Sequence, residues 1–246
     1  IITMRNRELS VGIFKLSSCD GCQAVFFEVD MPFEIVYWQL GKSDSVFEEV
    51  DIAFVEGSVS TEEERERLCI IREKSKVLVA IGACAVSGGI QALRNFGNLE
   101  EFLKIYPNPQ WLKVDEKSLP LREVVKVDYE IPGCPISAQV LQDFINAIKH
   151  NKRPAVPDYP LCMQCKRLGY ACVMDLKGLV CLGPITNAGC GALCPSVGRG
   201  CYGCFGPCKG ANVKAFVSWL KEQGLYSREI FENENAYAEP IREVIQ

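Results

Sequence analysis

Histidine is nearly absent from this chain, since His150 is the only one among 246 residues. A metal site would therefore have to be built almost entirely from other ligands. A Rieske iron–sulfur centre needs two histidines and is excluded by this count. His150 itself follows a predicted helix, where a partial positive charge suits the helix dipole. We expect it at the surface, without a ligand role.

The motifs of several large enzyme classes are also missing. The sequence has no Walker A motif, no G-x-S-x-G and no H-E-x-x-H, so P-loop, serine hydrolase and zinc protease chemistry lack their usual residues. The radical-SAM spacing C-x-x-x-C-x-x-C does not occur, and neither does the full bacterial ferredoxin run of four cysteines. The chain is therefore not a stand-alone member of either family.

Long apolar runs and concentrated basic charge are lacking as well. The longest apolar run, Val77–Val86, is far shorter than the ~20 residues that span a bilayer, so we expect no direct membrane insertion. The 27 basic and 31 acidic residues are spread along the chain and leave no basic surface for nucleic acid. Residues 1–10 are polar and do not resemble a secretory signal, from which we expect a cytoplasmic protein.

Cysteine, in contrast, is abundant, with fourteen residues. Cytosolic reductants keep thiols reduced, so metal binding is the better interpretation than a disulfide framework. With so little histidine, the choice narrows to zinc or iron–sulfur clusters. Five cysteines lie in residues 1–161 and nine in residues 162–208, and prolines mark an extended connector between Asn151 and Pro160. We therefore predict two domains, 1–155 and 156–246.

The first domain has the pattern of an α/β fold with a parallel sheet. Short apolar runs rich in β-branched residues alternate with helical patterns. The predicted strands are Val11–Leu16, Glu34–Leu40, Ile52–Val55, Val77–Ile81 and Val124–Tyr129. A charged helix should begin at Ser60-Thr61-Glu62-Glu63, and an amphipathic helix should cover Ser137–Lys149.

Cys19, Cys84 and Cys134 each come just after a predicted strand. Sites in open parallel sheets form outside the carboxyl ends of the strands, so these distant cysteines should converge there, and Cys22 completes four. Four thiolates are the ligand set of a 4Fe-4S cluster, although zinc could use the same four. The alternative that Cys84 and Cys134 are simply buried small residues is weakened by their matching positions after strands and by the glycine or proline near each of them.

In the second domain, the segment Cys162–Lys209 is crowded with glycine and proline and shows neither helical nor strand periodicity. We expect metal binding to replace a hydrophobic core in organising this segment. Its nine cysteines could supply four ligands to each of two cubane clusters and leave one cysteine over. Paired C-x-x-C motifs also occur in structural zinc sites. A helix should follow over Ala211–Gly224. Cys69, alone inside the charged helix, is predicted to be core packing.

The chain resembles the small subunit of NiFe hydrogenases along nearly its whole length. The resemblance rests on four motifs that occur in the family's order. They are Leu16-Ser17-Ser18-Cys19-Asp20-Gly21-Cys22, Val55-Glu56-Gly57-Ser58, Ile81-Gly82-Ala83-Cys84-Ala85 and Ile131-Pro132-Gly133-Cys134-Pro135. It implies a flavodoxin-like first domain that carries the proximal cluster, with Glu56 beside it, and an irregular, cysteine-rich iron–sulfur second domain.

The resemblance also implies a ligand set for each of three 4Fe-4S clusters. Cys162 stands where periplasmic members have a histidine, and Cys194 stands near their proline, as in cytoplasmic members such as the sulfhydrogenase delta subunit and the small subunit of viologen-reducing hydrogenases. The implied proximal ligands are Cys19, Cys22, Cys84 and Cys134. The implied medial ligands are Cys190, Cys194, Cys201 and Cys204, and the distal ligands are Cys162, Cys165, Cys172 and Cys181. Cys208 is left spare or competes with Cys190.

On this resemblance the chain is the electron-transfer subunit of a soluble NiFe hydrogenase, an oxidoreductase whose nickel–iron site is held by a separate large subunit. A further iron–sulfur or flavin-containing subunit would take up the electrons. One alternative is the homologous subunit of complex I, which keeps only the proximal cluster. Another is a zinc-stabilised interaction module without a redox role.

Overall fold

A computed structural model of the chain describes residues 9–45 and 47–226. Most of the N-terminal segment on which the expectation about export rests, residues 1–8, therefore lies outside the described residues. The chain divides into two compact units, 1–155 and 156–246. None of the helices in the described ranges is both long and apolar enough to cross a membrane.

The first unit is built on a five-stranded parallel sheet. Its strands are β1 (Ser10–Lys15), β2 (Glu34–Trp38), β3 (Val50–Glu56), β4 (Ser75–Ile81) and β5 (Tyr129–Ile131). They are ordered β2-β1-β3-β4-β5, the order found in flavodoxin-like sheets. All seven residues of β3 are buried, as expected for a central parallel strand covered on both faces. The prediction of an α/β fold with a parallel sheet is confirmed.

The last strand differs from the prediction of Val124–Tyr129. Leu121–Glu123 form a 3-10 turn, and the backbone N–H groups of Val124 and Val125 both donate to the Leu121 carbonyl at 3.0 Å. These valines pack on the hydrophobic core from a turn rather than from the sheet. Apolar character alone therefore placed the strand too early, and pairing with β4 begins at Tyr129.

Five α-helices accompany the sheet in the part of the first unit that the structure describes. They are α1 (Gly21–Ala24), α2 (Glu62–Glu73), α3 (Gly82–Ser87), α4 (Leu99–Leu103) and α5 (Ala138–Lys149). The Thr61 side chain caps α2 by accepting from the Glu64 N–H at 3.2 Å, and Ser137 caps α5 in the same way. His150 lies at the C-cap of α5.

The prediction that Cys69 packs in the core is wrong. Cys69 lies on α2 and is exposed. The buried face of this helix carries Leu68 and Ile71, and Cys69 lies on a different face. Its apolar neighbours in sequence were misleading because Ile70 is also exposed.

Between residues 156 and 226, the second unit contains four short helices. They are α6 (Leu161–Arg167), α7 (Val173–Lys177), α8 (Leu193–Ser196) and α9 (Val213–Glu222). The first three lie in the segment for which no helix was predicted, because runs of four to seven residues are too short for an amphipathic period to be recognised. The predicted helix over Ala211–Gly224 corresponds to α9, which Asn212 caps.

Candidate metal centres

Three cysteine-bearing segments of the first unit follow strands that end side by side at the same edge of the sheet. Across the strands, Lys15 pairs with Glu56, Glu56 with Ile81, and Ile81 with Ile131. Cys19 follows β1, Cys84 lies in α3 directly after β4, and Cys134 follows β5. The parallel register therefore brings residues more than a hundred positions apart to the same edge of the sheet.

The thiols of these loops are close enough to influence one another. Burial raises the pKa of Cys22, and Glu56, Cys84 and Cys134 raise it further. Burial also raises the pKa of Cys84 to about 11, with smaller contributions from Cys134 and Cys19. The four predicted proximal residues are thus brought together. In the absence of metal, the raised pKa values of Cys22 and Cys84 keep these two thiols protonated, so cluster binding would have to release their protons.

Glycines leave room beside the sulfur atoms. Gly82 has φ +85°, and a Cβ there would collide with the Cys22 Sγ. Gly89 has φ +60°, and its Cβ would lie 2.6 Å from the Cys84 Sγ. A side chain at either position would fill the space that a group bound to these sulfurs has to occupy, so the loops fit a bulky ligand.

Glu56 holds the turn between the first two cysteines. Its buried carboxylate accepts from the backbone N–H of Cys22 at 3.4 Å and of Gln23 at 3.0 Å. Burial raises the pKa of Glu56. The Gln23 side chain accepts from the Trp38 indole at 2.9 Å, which anchors α1 to β2. The Cys19–Cys22 turn is therefore oriented before any metal binds.

Gln91 was missed by the sequence analysis. It lies on the 3-10 helix Gly89–Phe96, and its Nε2 donates to the Ser17 carbonyl at 3.0 Å, joining the loops that follow β4 and β1. The signal that could have pointed to it is the Gly88-Gly89 pair. Both glycines have positive φ and turn the chain back toward Cys84.

In the second unit, all four predicted distal cysteines line one small cavity of about 60 Å³. The cysteines are Cys162, Cys165, Cys172 and Cys181. Burial, with smaller contributions from the other three cysteines, raises the pKa of Cys162 to about 11. Gly183 leaves space here, since a Cβ at this position would lie 3.3 Å from the Cys162 Sγ and 3.4 Å from the Cys181 Sγ.

Among the four predicted medial cysteines, Cys190 influences Cys194 and Cys204 influences Cys201. Burial raises the pKa of Cys194, with smaller contributions from Cys190 and Cys181, while Arg199 lowers it. Burial likewise raises the pKa of Cys201, with Cys181 and Cys204 contributing further. The backbone N–H of Cys201 donates to the Cys181 Sγ at 3.2 Å, so the second pair adjoins the distal cavity.

Cys208 occupies a different environment. Its buried thiol donates to the Pro184 carbonyl at 3.9 Å. Burial raises the pKa of Cys208, and the neighbour that raises it further is Asp158, not a cysteine. These contacts suit a packed thiol better than a ligand that competes with Cys190.

The four thiols at the sheet edge, and the four around the small cavity, form the donor set of an iron–sulfur cluster. A cubane binds one thiolate at each of four corners, and the glycines beside the sulfur atoms leave space for such a bulky group. Among residues 9–45 and 47–226, no three histidine, cysteine, aspartate or glutamate side chains are placed to hold a single metal ion.

Known proteins similar to this chain share its organisation. A sequence profile of the family described as NADH ubiquinone oxidoreductase, 20 Kd subunit, matches residues 19–148, which lie within the first unit. The Sulfhydrogenase 2 subunit delta of Pyrococcus furiosus is 35% identical over 87% of this chain and 93% of that subunit. A subunit of the F420-non-reducing hydrogenase vhu of Methanocaldococcus jannaschii is 33% identical over 80% of this chain and 82% of its own length.

A solved hydrogenase structure also contains a chain that is similar to this one. A chain of an NAD+-reducing NiFe hydrogenase in the H2-reduced state superposes with a TM-score of 0.55 and 29% identity, covering 61% of this chain and 96% of that one. The profile match, the relatives and this superposition all concern subunits of hydrogenases or of NADH ubiquinone oxidoreductase. The chain belongs to the family that contains the 20 Kd subunit of NADH ubiquinone oxidoreductase and the small, electron-transfer subunits of NiFe hydrogenases.

Proposed function

We propose that this chain, a subunit of an oxidoreductase, relays electrons through three 4Fe-4S clusters between the nickel–iron site of a hydrogenase large subunit and a downstream redox partner. The observation that carries the proposal is the convergence of four cysteines at the sheet edge of a unit that is followed by nine more cysteines in the second unit. The two relatives described above, whose similarity extends into the second unit, are both hydrogenase subunits.

The ligand sets are part of the proposal. Proximal binding falls to Cys19, Cys22, Cys84 and Cys134, and distal binding to the four cysteines of the small cavity. Cys190, Cys194, Cys201 and Cys204 form the medial set. The medial set is supported by the contacts of Cys190 with Cys194 and of Cys204 with Cys201, and by the bond from Cys201 to Cys181.

When bound, each cluster accepts and passes on one electron at a time. The residues of this chain provide its surroundings. Cys22, Cys181 and Cys201 are buried, which keeps water from their sulfurs. The backbone N–H of Gly203 donates to the Cys201 Sγ at 3.4 Å. N–H groups directed at sulfur stabilise the more negative, reduced state and therefore raise the reduction potential.

The large subunit is the proposed partner at the sheet edge. Exposed apolar residues lie close in sequence to the proximal cysteines, with Phe27 64% exposed and Ile90 57% exposed. A permanent partner would remove such residues from water. We propose a further iron–sulfur or flavin-containing subunit as the electron acceptor, and no nucleic acid. Fourteen free thiols suit a reducing compartment, and we propose the cytoplasm.

Metal analysis of anaerobically purified protein tests the proposal. We expect about twelve irons and about twelve sulfides per chain, with interacting EPR signals after dithionite reduction. About four irons would leave the proximal site alone, as in the complex I type of subunit. Stoichiometric zinc in a colourless protein would overturn the redox function.

A further inference from the structure

The cysteine-rich segment of the second unit carries an excess of positive charge. From Cys162 to Cys208 it contains four basic residues and one acidic residue, although in the whole chain acidic residues outnumber basic ones by 31 to 27. The four basic residues are all exposed, and they are Lys166, Arg167, Lys177 and Arg199. None of them forms an ion pair within residues 9–45 and 47–226. Their charge therefore faces solvent without a neutralising carboxylate in that part of the chain.

Two of these cations border cavities beside the proposed distal ligands. Lys166 lines the small cavity that the four distal cysteines share. Lys177 lines a second cavity, of about 280 Å³, and its ammonium donates to the Gly198 carbonyl at 3.0 Å. Cys172 lines both cavities, so the two lysines lie around the same thiol. Arg199 follows Gly198 directly in the chain and adds a third cation to this region.

Cys172 is the point at which the distal set reaches the surface. It is exposed, whereas the other eight cysteines of the second unit are buried or half-buried. Apolar side chains are exposed beside it. Leu176 lines the larger cavity and is 72% exposed, and Val197, which lies between two residues that line it, is 66% exposed. We refer to Lys166, Cys172, Leu176, Lys177, Val197 and Arg199 together as the Cys172 surface.

The composition of the Cys172 surface points to a protein with negative charge. Exposed cations attract an acidic partner and orient it as it approaches. Exposed apolar side chains gain from being covered by another protein, whereas the phosphates of a nucleic acid have nothing to offer Leu176 or Val197. The exposed thiol means that a cluster bound here would lie next to the partner.

We propose that the Cys172 surface is the docking site of the downstream redox partner and that this partner presents an acidic face, as an acidic ferredoxin does. The inference rests on the proposed function, because it requires a distal cluster. One electron leaves the reduced distal cluster and reduces the iron–sulfur cluster of the partner, and no bond forms or breaks. A small contact is sufficient, since electron-transfer complexes bury little surface.

The test uses an acidic plant-type 2Fe-2S ferredoxin as the probe and the anaerobically purified, iron-replete chain. Isothermal titration calorimetry measures the binding of oxidised ferredoxin, independently of any electron transfer. We expect the Kd to rise about tenfold when NaCl is raised from about 20 mM to about 0.5 M, because salt screens exposed charges. Carbodiimide cross-linking followed by mass spectrometry should join Lys166 or Lys177 to carboxylates of the ferredoxin.

Two variants of Lys177 separate its charge from its hydrogen bond. Lys177→Glu reverses the charge, and Lys177→Gln removes the charge while keeping an N–H donor for the Gly198 carbonyl. We expect the Kd to rise about tenfold in the first and about threefold in the second, with wild-type iron content in both. The matched control is Lys214→Glu, an equal charge change at an exposed lysine of α9 that lines neither cavity. Its Kd should stay within about twofold of the wild-type value.

Other results would overturn the inference. Binding that does not depend on salt, or that weakens equally in Lys177→Glu and Lys214→Glu, would remove the role of the Cys172 surface. Tighter binding of DNA than of ferredoxin, or self-association of the chain through the same lysines, would assign the surface to another occupant. Wild-type protein with only about four irons would lack a distal cluster, and the proposed function itself would fail. An iron-replete chain that does not bind the ferredoxin refutes this inference alone.

Discussion

The two units hold their cysteines in different ways. In the first unit, the core consists of sheet and helix side chains such as Phe14, Val55 and Leu78, and the proposed proximal cysteines follow the strands at its edge. In the second unit, Cys181 and Cys201 are themselves members of the buried core. Under the proposed function, metal would therefore occupy a finished scaffold in the first unit and would contribute to the scaffold in the second.

Removal of the metal should produce the largest difference in stability between the two units. After anaerobic chelation of the iron, we expect the second unit to lose protection from hydrogen exchange and proteolysis, while strands β1, β3 and β4 remain protected. Hydrogen exchange followed by mass spectrometry measures both units in one sample. Equal loss of protection in the two units would contradict the distinction.

Single cysteine substitutions should produce the next largest effect. We expect Cys84→Ser to lose about four irons per chain, because a cubane requires its four thiolates. Cys69→Ser, on the exposed face of α2, and Cys208→Ser, with its contacts to Pro184 and Asp158, are the matched controls. Iron analysis after anaerobic purification gives the comparison, and a full complement in Cys84→Ser would be inconsistent with the proximal site.

Two glycines with positive φ, one beside a proposed ligand and one in open space, test whether the space around the proximal sulfurs matters. Gly82 and Gly178 have φ +85° and +61°, and alanine at either should cost about 1–2 kcal/mol. A Cβ at Gly178 meets nothing within 4 Å, whereas at Gly82 it meets the Cys22 Sγ. We therefore expect Gly82→Ala to lose proximal iron and Gly178→Ala to keep its clusters, as measured by iron content and chemical denaturation.

A smaller effect is expected from alkaline pH on the metal-free chain. Burial raises the pKa of Cys84 from 9.0 to about 11, so the folded state keeps a proton that the unfolded chain releases between these values. Unfolding is therefore favoured as the pH rises from about 9 to about 11, and stability from this source is complete below pH 9. Thermal unfolding across this range should show the loss, and Cys84→Ser should weaken it.

Local sequence signals predicted much of the first unit. The β-branched runs of β1, β3 and β4, and the caps Thr61 and Ser137, depend on residues that are neighbours along the chain. The fifth strand was misplaced because Val124 and Val125 are apolar for a different reason, their packing on the core from a turn. Cys69 was misjudged because the identity of adjacent residues does not show which face of a helix is buried.

The sequence by itself determined the chemistry available to this protein. Fourteen cysteines and one histidine restrict the ligands to thiolates, whatever the fold. The order of strands and cysteines along the chain predicted that Cys19, Cys22, Cys84 and Cys134 converge, and the register of the parallel strands is the contact that brings Cys22 and Cys134 together. Only the tertiary structure decided that Gln91 donates to the Ser17 carbonyl and that Gly82 leaves room for the sulfur of Cys22. Such contacts depend on long-range packing, to which no local pattern of residues corresponds.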